Sequence, residues 1–383
     1  MRILVLNGGS SSFKCWFSDV REPLPAQAPQ PLWKANVEWR GERPLGEALA
    51  PALEELWSGP RRVIPGPREV EAVGHRIVHG GAHRDTERVT PAVREAIARE
   101  AEFAPGHNRF ELEAMDAVER ALGPEVPQFA AFDTGFHVTL APAAYVYPAP
   151  YDWLAEGVRR YGFHGLSFRY AARRAAQMLG GSGGDVDGRL IICHLGSGAS
   201  LAAVRDGRSV DTTMGFTPLE GLMMGTRSGS IDPGILIFLL RHRGYTPDQL
   251  DRILNRESGL KGVSGLSGDM RDILAAAAEG NPRAQLALDI YTHRLVREAG
   301  GMLAVLGGLD ALVFTGGVGE NTPLVRERLT RQFAFTGLDL DTHANAHARG
   351  DTDISAAASR VRALVIHAEE EWEIARACFQ AAR

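Results

Sequence analysis

Residues 2–14 read RILVLNGGSSSFK, and this stretch limits the possible folds more than any other. Ile3 to Leu6 form an apolar run of the length of a buried strand, too short for a helix. Gly8 and Gly9 then allow a tight turn and a close approach of backbone to a ligand. Ser10, Ser11 and Ser12 add hydroxyl donors, and Lys14 adds a positive charge. Free donors and one cation at a strand end suit a phosphate group. The same design returns at Leu190–Ser200, LIICHLGSGAS. Aligning Gly9-Ser10 with Gly196-Ser197 and Asp19 with Asp206 predicts an internal duplication, with two strand–turn–strand phosphate loops. No G-x-x-x-x-G-K-[ST] occurs, and no Gly-x-Gly-x-x-Gly follows a first strand, so neither a Walker loop nor a dinucleotide fold is expected.

The 383 residues suffice for two domains with real cores. An apolar content of 44% and a charged content of 23% describe an ordinary globular chain. The net charge of −5 argues against a nucleic-acid or anionic-membrane partner. The longest apolar run, Ile235–Leu240, is far below spanning length. A strand and a glycine turn stand where a secretory leader would, and none is expected. Cys15, Cys193 and Cys378 are scattered and odd in number, which suggests a reducing cytoplasm rather than a disulfide framework.

Strands alternate with helices, which predicts α/β. Strands are expected at Cys15–Phe17, Ala72–Val78, Phe129–Phe132, Ala311–Thr315 and Val361–Ile366. Helices are expected from Thr90-Pro91, over Phe110–Leu122, Ser167–Leu179, Thr246–Ser258, Asp269–Glu279 and Pro282–Leu306, from Pro323, and from Glu370 to the end. Thr246 and Gln249 have capping-box spacing. Prolines 142, 148 and 150 mark a domain crossover, and Gly180–Gly188 reads as a flexible loop. His75, His79 and His83 recur every four residues, but Gly80-Gly81 breaks any helix there, so no zinc site is expected.

The string N-x-G-S-S-S-x-K at the first turn resembles the signature of the acetate kinases. The resemblance continues at GHRIVHGG (Gly74–Gly81), APGHN (Ala104–Asn108), FDTGFH (Phe132–His137), RRYGFHG (Arg159–Gly165) and HLGSGAS (His194–Ser200). It goes on through DTTMGFTPLEGLMMGTRSGSIDP (Asp211–Pro233), GLSGDMRD (Gly265–Asp272), FTGGVGEN (Phe314–Asn321) and EEWEIAR (Glu370–Arg376). It implies a two-domain actin-like/ribonuclease H-like ATPase fold with a duplicated core and an interdomain active-site cleft. The expected domains are 1–148, on the acyl-substrate side with the helix from about 370–383 packing back on it, and a nucleotide-binding domain over 149–369. The implied reaction is reversible, direct in-line transfer of the ATP γ-phosphoryl to acetate, giving acetyl phosphate and ADP. A propionate or butyrate kinase, or a nucleotide-switched binding protein of the actin or heat-shock type, is the alternative. The implied cofactor is Mg2+, with Mn2+ as a substitute; the implied assembly is a homodimer.

The chemistry fits these residue types. A carboxylate nucleophile with a pKa of about 4–5 is already ionised at pH 7 and needs no general base. Charge stabilisation and positioning are needed instead, and planar arginine forks supply both. By resemblance, the catalytic residues are Arg76, Asp133, His164 and Arg227. Val78, Gly106, Phe163 and Pro218, with Arg76, are the substrate-binding set. ATP binding falls to Asn7, Ser10, Ser12, Lys14, His194, Gly196, Ser197, Gly198, Asp269, Met270, Arg271, Gly316, Gly317, Val318, Gly319 and Asn321. The metal-side residues are Asn7 and Glu370, and His107 matches a further active-site histidine. The chain departs from the family at Gly106, where the family has Leu, at Arg109-Phe110, at Ser197 for Asn, and at Glu369 for Asn before the metal-side Glu.

Overall fold

The computed structural model describes residues 1–9, 12–39, 44–81, 83–101, 108–180 and 188–383. They form two compact units. The first comprises Met1–Val138, Phe163–Tyr170 and Glu369–Arg383; the second comprises Thr139–Gly162 and Ala171–Ala368.

The first unit holds β1 (Arg2–Gly8), β2 (Ser12–Asp19), β3 (Trp33–Glu38), β4 (Ala72–Ile77), β5 (Glu87–Arg88) and β6 (Gln128–Phe132), in the order β3-β2-β1-β4-β6-β5. The second holds β7 (Arg189–Leu195), β8 (Ala199–Arg205), β9 (Arg208–Thr212), β10 (Ala311–Thr315), β11 (Thr352–Asp353) and β12 (Arg362–Val365), in the order β9-β8-β7-β10-β12-β11. The two orders are the same. So are the directions: β1–β4–β6 and β7–β10–β12 run parallel, and every other pairing is antiparallel. The duplication expected from two short loops therefore extends over both whole sheets.

The register corrects one detail of that alignment. Arg2 lies opposite Asp19, whereas Arg189 lies opposite Arg205. The first turn closes at Gly8–Phe13 and the second at Leu195–Ala199, one residue shorter. Asp19 therefore corresponds to Arg205, not Asp206. A gapless comparison cannot register a one-residue change in a turn, yet in a strand that change exchanges the two faces.

β1 is buried on both faces, as its unbroken apolar run requires. Leu4 and Leu6 pack with Leu45, Leu49 and Leu53 of the helix Leu45–Glu54 and with Ala114 and Val118 of the helix Asn108–Leu122. On the other face the helix Glu370–Ala381 lies against β1 and β4. Gly74 of β4 makes that approach possible: a Cβ there would stand 2.5 Å from Cys378 Sγ and 2.7 Å from Ile374 Cγ2.

Local signals behave as their chemistry demands. Thr90 caps the helix Pro91–Glu100 by accepting from the Val93 amide at 3.3 Å. Thr246 and Gln249 form the full capping box. The α-helix it opens is shorter than expected, Pro247–Arg252, and loosens into a wider turn over Ile253–Glu257, where Ser258 Oγ donates to the Ile253 carbonyl at 2.8 Å. β3 and the helices Leu45–Glu54 and Pro233–His242 are not among the expected elements, although Asp232 and Pro233 supply a cap and a first-turn proline for the second helix; the first contains Pro51, which reads as a breaker. The loop expected at Gly180–Gly188 lies mostly outside the described residues. Among the described residues, no helix is long and apolar enough to cross a membrane.

The close fit over Gly74 generates a prediction. Gly74→Ala overpacks the seam between β4 and the C-terminal helix and lowers unfolding stability by about 1–3 kcal/mol. Urea denaturation measures this; an unchanged midpoint would mean that the helix yields without cost.

Candidate active site

β1, β4 and β6 end side by side, and their ends present Asn7, Arg76 and Asp133. Arg76 Nε and Nη2 both donate to Asp133 Oδ2, at 3.0 and 2.6 Å. Arg76 Nη1 donates to Asn7 Oδ1 at 3.3 Å and to the Gly8 carbonyl at 3.2 Å. Asn7 Nδ2 donates in turn to Glu370 Oε2 at 3.1 Å and Glu371 Oε1 at 2.7 Å. Glu370 also lies 3.9 Å from Arg76 Nη1. The guanidinium is thus held from several sides before any substrate arrives. A guanidinium carries five N–H donors, and these contacts engage four, leaving one of those on Nη2.

Asp133 is buried, and its Oδ1 has no full hydrogen bond among the described residues. Burial pushes its carboxyl above the ordinary value, while Arg76 and the Leu166 amide pull it back. That amide belongs to the first turn of the helix beginning at Gly165. Gly165 is required there, because a Cβ would overlap the Asp133 carbonyl oxygen. His164, just before it, adopts φ of 58°, a left-handed conformation uncommon outside glycine. Gly165 thus brings the helix's first turn onto Asp133.

Val78 and Phe163 are buried in this unit, and the Phe163 ring stands 5.7 Å from that of His79. Lys14 lies opposite Asn7 across the hairpin, its Nζ 3.9 Å from Glu371 Oε1. Ser12 starts β2, and its carbonyl closes the turn by accepting from the Gly9 amide at 2.8 Å. Ser10, Gly106 and His107 lie outside the described residues. The three spaced histidines have separate partners: His75 with Gln128 at 2.7 Å, His79 with Glu100 at 3.0 Å, and His83 with Glu87 at 3.0 Å.

Two site residues went unread in the sequence. Glu371 faces Asn7 beside Glu370, though nothing in E-E-E tells which carboxylates turn inward. Glu111 is buried, with Oε2 lacking a partner among the described residues, and its Oε1 lies where a Cβ on Gly8 would be. Burial pushes the Glu111 carboxyl well above its ordinary value, opposed by Arg76 and reinforced by Asp133. Its signal was the i,i+3 spacing from Asn108, which puts both on one helix face.

Among the described residues no group of three or more His, Cys, Asp or Glu is placed to hold a metal ion, so a hard divalent cation here would rest on few protein oxygens. Asn7, Glu370 and Glu371 sit together, and Asp133 offers a buried, incompletely bonded oxygen. Such a cation takes one or two carboxylates and fills its remaining positions with water and phosphate oxygen.

In the second unit, the expected nucleotide segments meet through their backbones. The Gly225 amide donates to the Ser197 carbonyl at 3.2 Å, and a Cβ on Gly225 would stand 2.7 Å from the Gly268 carbonyl. Gly196 and Gly198 form the turn between β7 and β8, closed at 2.9 Å. His194 pairs with Thr315 across β7 and β10, and Gly316, at φ of 77°, crosses within 2.8–3.2 Å of Leu195 backbone as judged from its Cβ position. Residues Gly316–Asn321, including Gly317, Val318 and Gly319, form one short helix, with Asn321 Nδ2 donating to the Gly317 carbonyl at 2.9 Å. Asp269 caps the helix Met270–Ala278; Met270 is buried and Arg271 is exposed, paired to Asp269. Arg227 Nη1 donates to the Pro218 carbonyl at 3.0 Å.

Removing the buried carboxylate leaves the half-buried Arg76 guanidinium without its main compensating charge. Asp133→Asn should therefore cost about 3 kcal/mol of unfolding stability at pH 7, read by urea titration. A loss below about 1 kcal/mol would show that Asn7, Gly8 and Glu370 suffice to hold Arg76.

The model of the Acetokinase family matches residues 2–376. An acetate kinase of Gloeobacter violaceus is 54% identical over 99% of both chains. The crystal structure of Porphyromonas gingivalis acetate kinase superposes with a TM-score of 0.89 at 36% identity, covering all of both chains. A propionate kinase from Francisella tularensis gives 0.88 at 32% identity over 99% of both. The chain is a kinase and belongs to the Acetokinase family.

Proposed function

We propose that this kinase transfers the γ-phosphoryl group of ATP to acetate, reversibly, giving acetyl phosphate and ADP in the cytoplasm. The observation that carries this reading is the half-buried Arg76 fork, fixed by Asp133, Asn7 and Gly8 with a donor to spare. A guanidinium already oriented stabilises the charge on a phosphoryl group in flight without reorganising as the reaction proceeds. Arg227 is the second guanidinium, for the acid and the transferred group, and His164 donates a hydrogen bond to them. Acetate arrives ionised, so no residue need take its proton. Val78 and Phe163 of the first unit and Pro218 of the second are the residues assigned to its methyl group by resemblance, and the Gloeobacter relative bears the name acetate kinase.

Family membership brings an ATP substrate and a divalent metal. Asn7 and Glu370 hold that metal, Mg2+ with Mn2+ as a substitute, which when bound neutralises phosphate charge. Backbone amides at Gly198 and Gly317–Gly319 take the phosphates, those of Gly196 and Gly316 being engaged by the Gly198 carbonyl and Glu320, and Asp269–Arg271 lies beside the purine. The three cysteines are buried and free, in keeping with a reducing compartment.

A second copy of the chain is the proposed partner. The helix Pro233–His242 leaves Ile235, Ile237, Phe238 and Leu240 each 40–49% exposed, an apolar surface of the kind that marks an interface.

Two experiments test the activity. ADP formation should depend on acetate, with hydroxylamine trapping the acyl phosphate and activity falling from C2 to C4 acids; ATP hydrolysis indifferent to any acid would overturn the reading. Arg76→Ala and Arg227→Ala should each lower turnover by about three orders of magnitude or more. Near-normal turnover in either variant would remove that residue from the mechanism. For the assembly, light scattering should find a dimer that Ile237→Glu with Phe238→Glu converts to monomers; a wild-type monomer would refute it.

A further inference from the structure

The stretch Thr212–Glu220 of the second unit leaves β9 and carries Pro218, yet it forms no further strand or helix. A loop without a backbone ladder must satisfy its polar groups elsewhere. Here two side chains from outside the loop do so. Arg160 Nη1 faces three successive carbonyls, those of Thr212, Thr213 and Met214, at 3.0, 3.1 and 3.0 Å. Arg160 Nη2 donates to Glu220 Oε1 at 2.7 Å. The other oxygen of Glu220 accepts from the Tyr147 hydroxyl, and that hydroxyl accepts from the Phe216 amide at 2.9 Å. The start, middle and end of the loop are therefore tied to one connected network. Tyr161 and Gly162 amides add bonds to the Gly215 carbonyl at 3.0 and 3.3 Å.

The network leaves no slack. A Cβ on Gly215 would overlap both Glu220 Oε2 and the Tyr147 oxygen. Gly221, at φ of 100°, turns the chain back just after Glu220, with its amide donating to Ser230 Oγ at 2.9 Å. Burial and then the hydrogen bond to Glu220 push the Tyr147 phenol up, so it remains a donor throughout the working pH range. The loop in turn supplies the Pro218 carbonyl, which takes Arg227 Nη1.

We propose that Arg160, Glu220 and Tyr147 are positioning residues for the acid substrate: they hold the Thr212–Glu220 loop so that Pro218 and Arg227 stand in place before the acid binds. The inference rests on the reading of Pro218 and Arg227 given above. It adds that selectivity for the acid is set from behind the pocket wall, by groups that never touch substrate.

The test uses full-length Glu220→Gln and Tyr147→Phe, with Pro218→Ala alongside. Both loop variants should raise the KM for acetate about tenfold or more, since small misplacements of reacting groups are costly. The KM for ATP should stay within about twofold, as the nucleotide segments lie outside the network. Hydrogen exchange over 212–220 should quicken in the same variants. Tyr147→Phe keeps the ring and loses one hydroxyl, so it guards against a folding failure in Glu220→Gln. Equal rises in both KM values would indicate general loosening and overturn the proposal. So would faster exchange with an unchanged acetate KM. If Pro218→Ala raises the acetate KM while the loop variants do not, the positioning role fails and the pocket reading stands. If Pro218→Ala itself leaves that KM unchanged, the pocket reading fails and takes the proposal with it.

Discussion

The pair of half-buried Arg76 and buried Asp133 is the interaction on which the first unit's site depends. A guanidinium largely withdrawn from water needs compensating charge and hydrogen bonds. Asp133 supplies the charge, and Asn7 and the Gly8 carbonyl supply the rest. These groups come from the ends of three neighbouring parallel strands, so the sheet's own spacing fixes their geometry. The arrangement is rigid because each member is held by something else. Gly165 lets the following helix close on Asp133, and Gly74 lets the C-terminal helix close on β4. That second contact is what carries Glu370 and Glu371 to Asn7.

The same sheet appears twice with different chemistry at matching places. Asn7 of β1 corresponds to His194 of β7, and Arg76, one residue after the partner of Leu6, corresponds to Thr315. The first unit therefore ends its central strands in charge and carboxylates. The second ends them in glycine turns, where backbone amides and close approach matter more than side chains. A duplicated scaffold with diverged strand ends places charged side chains at one set of ends and glycine turns at the other, from one topology. The fold provides the places, and the residues at the strand ends decide the chemistry.

Legibility in the sequence followed the range of the interaction. The strand Ala311–Thr315, the helix Pro282–Leu306 and the Thr246–Gln249 capping box were all readable, because each is settled by a few neighbours in the chain. The helix Leu45–Glu54 was not, since Pro51 reads as a breaker and the packing of Leu45, Leu49 and Leu53 with Ala117 and Val118 is a long-range matter. Within the site, Asn7, Arg76, Asp133 and Glu370 could be singled out by motif. Glu111 and Glu371 could not, because their burial and direction depend on what lies across from them.

The sequence alone determined the local alphabet: apolar runs of strand length, glycine and serine turns at their ends, caps where helices begin, and the order of motifs that marks the Acetokinase family. Each follows from sterics and hydrogen bonding over a few residues. Only the tertiary structure decided the register of the second hairpin, the inward turn of Glu371 and the seating of Glu111 against Gly8. It also decided that Arg160 and Tyr147 would brace a loop more than fifty residues further along the chain. Those outcomes depend on close packing between segments remote in sequence, where shape and desolvation in three dimensions, and not local preference, select among the conformations that the chain permits.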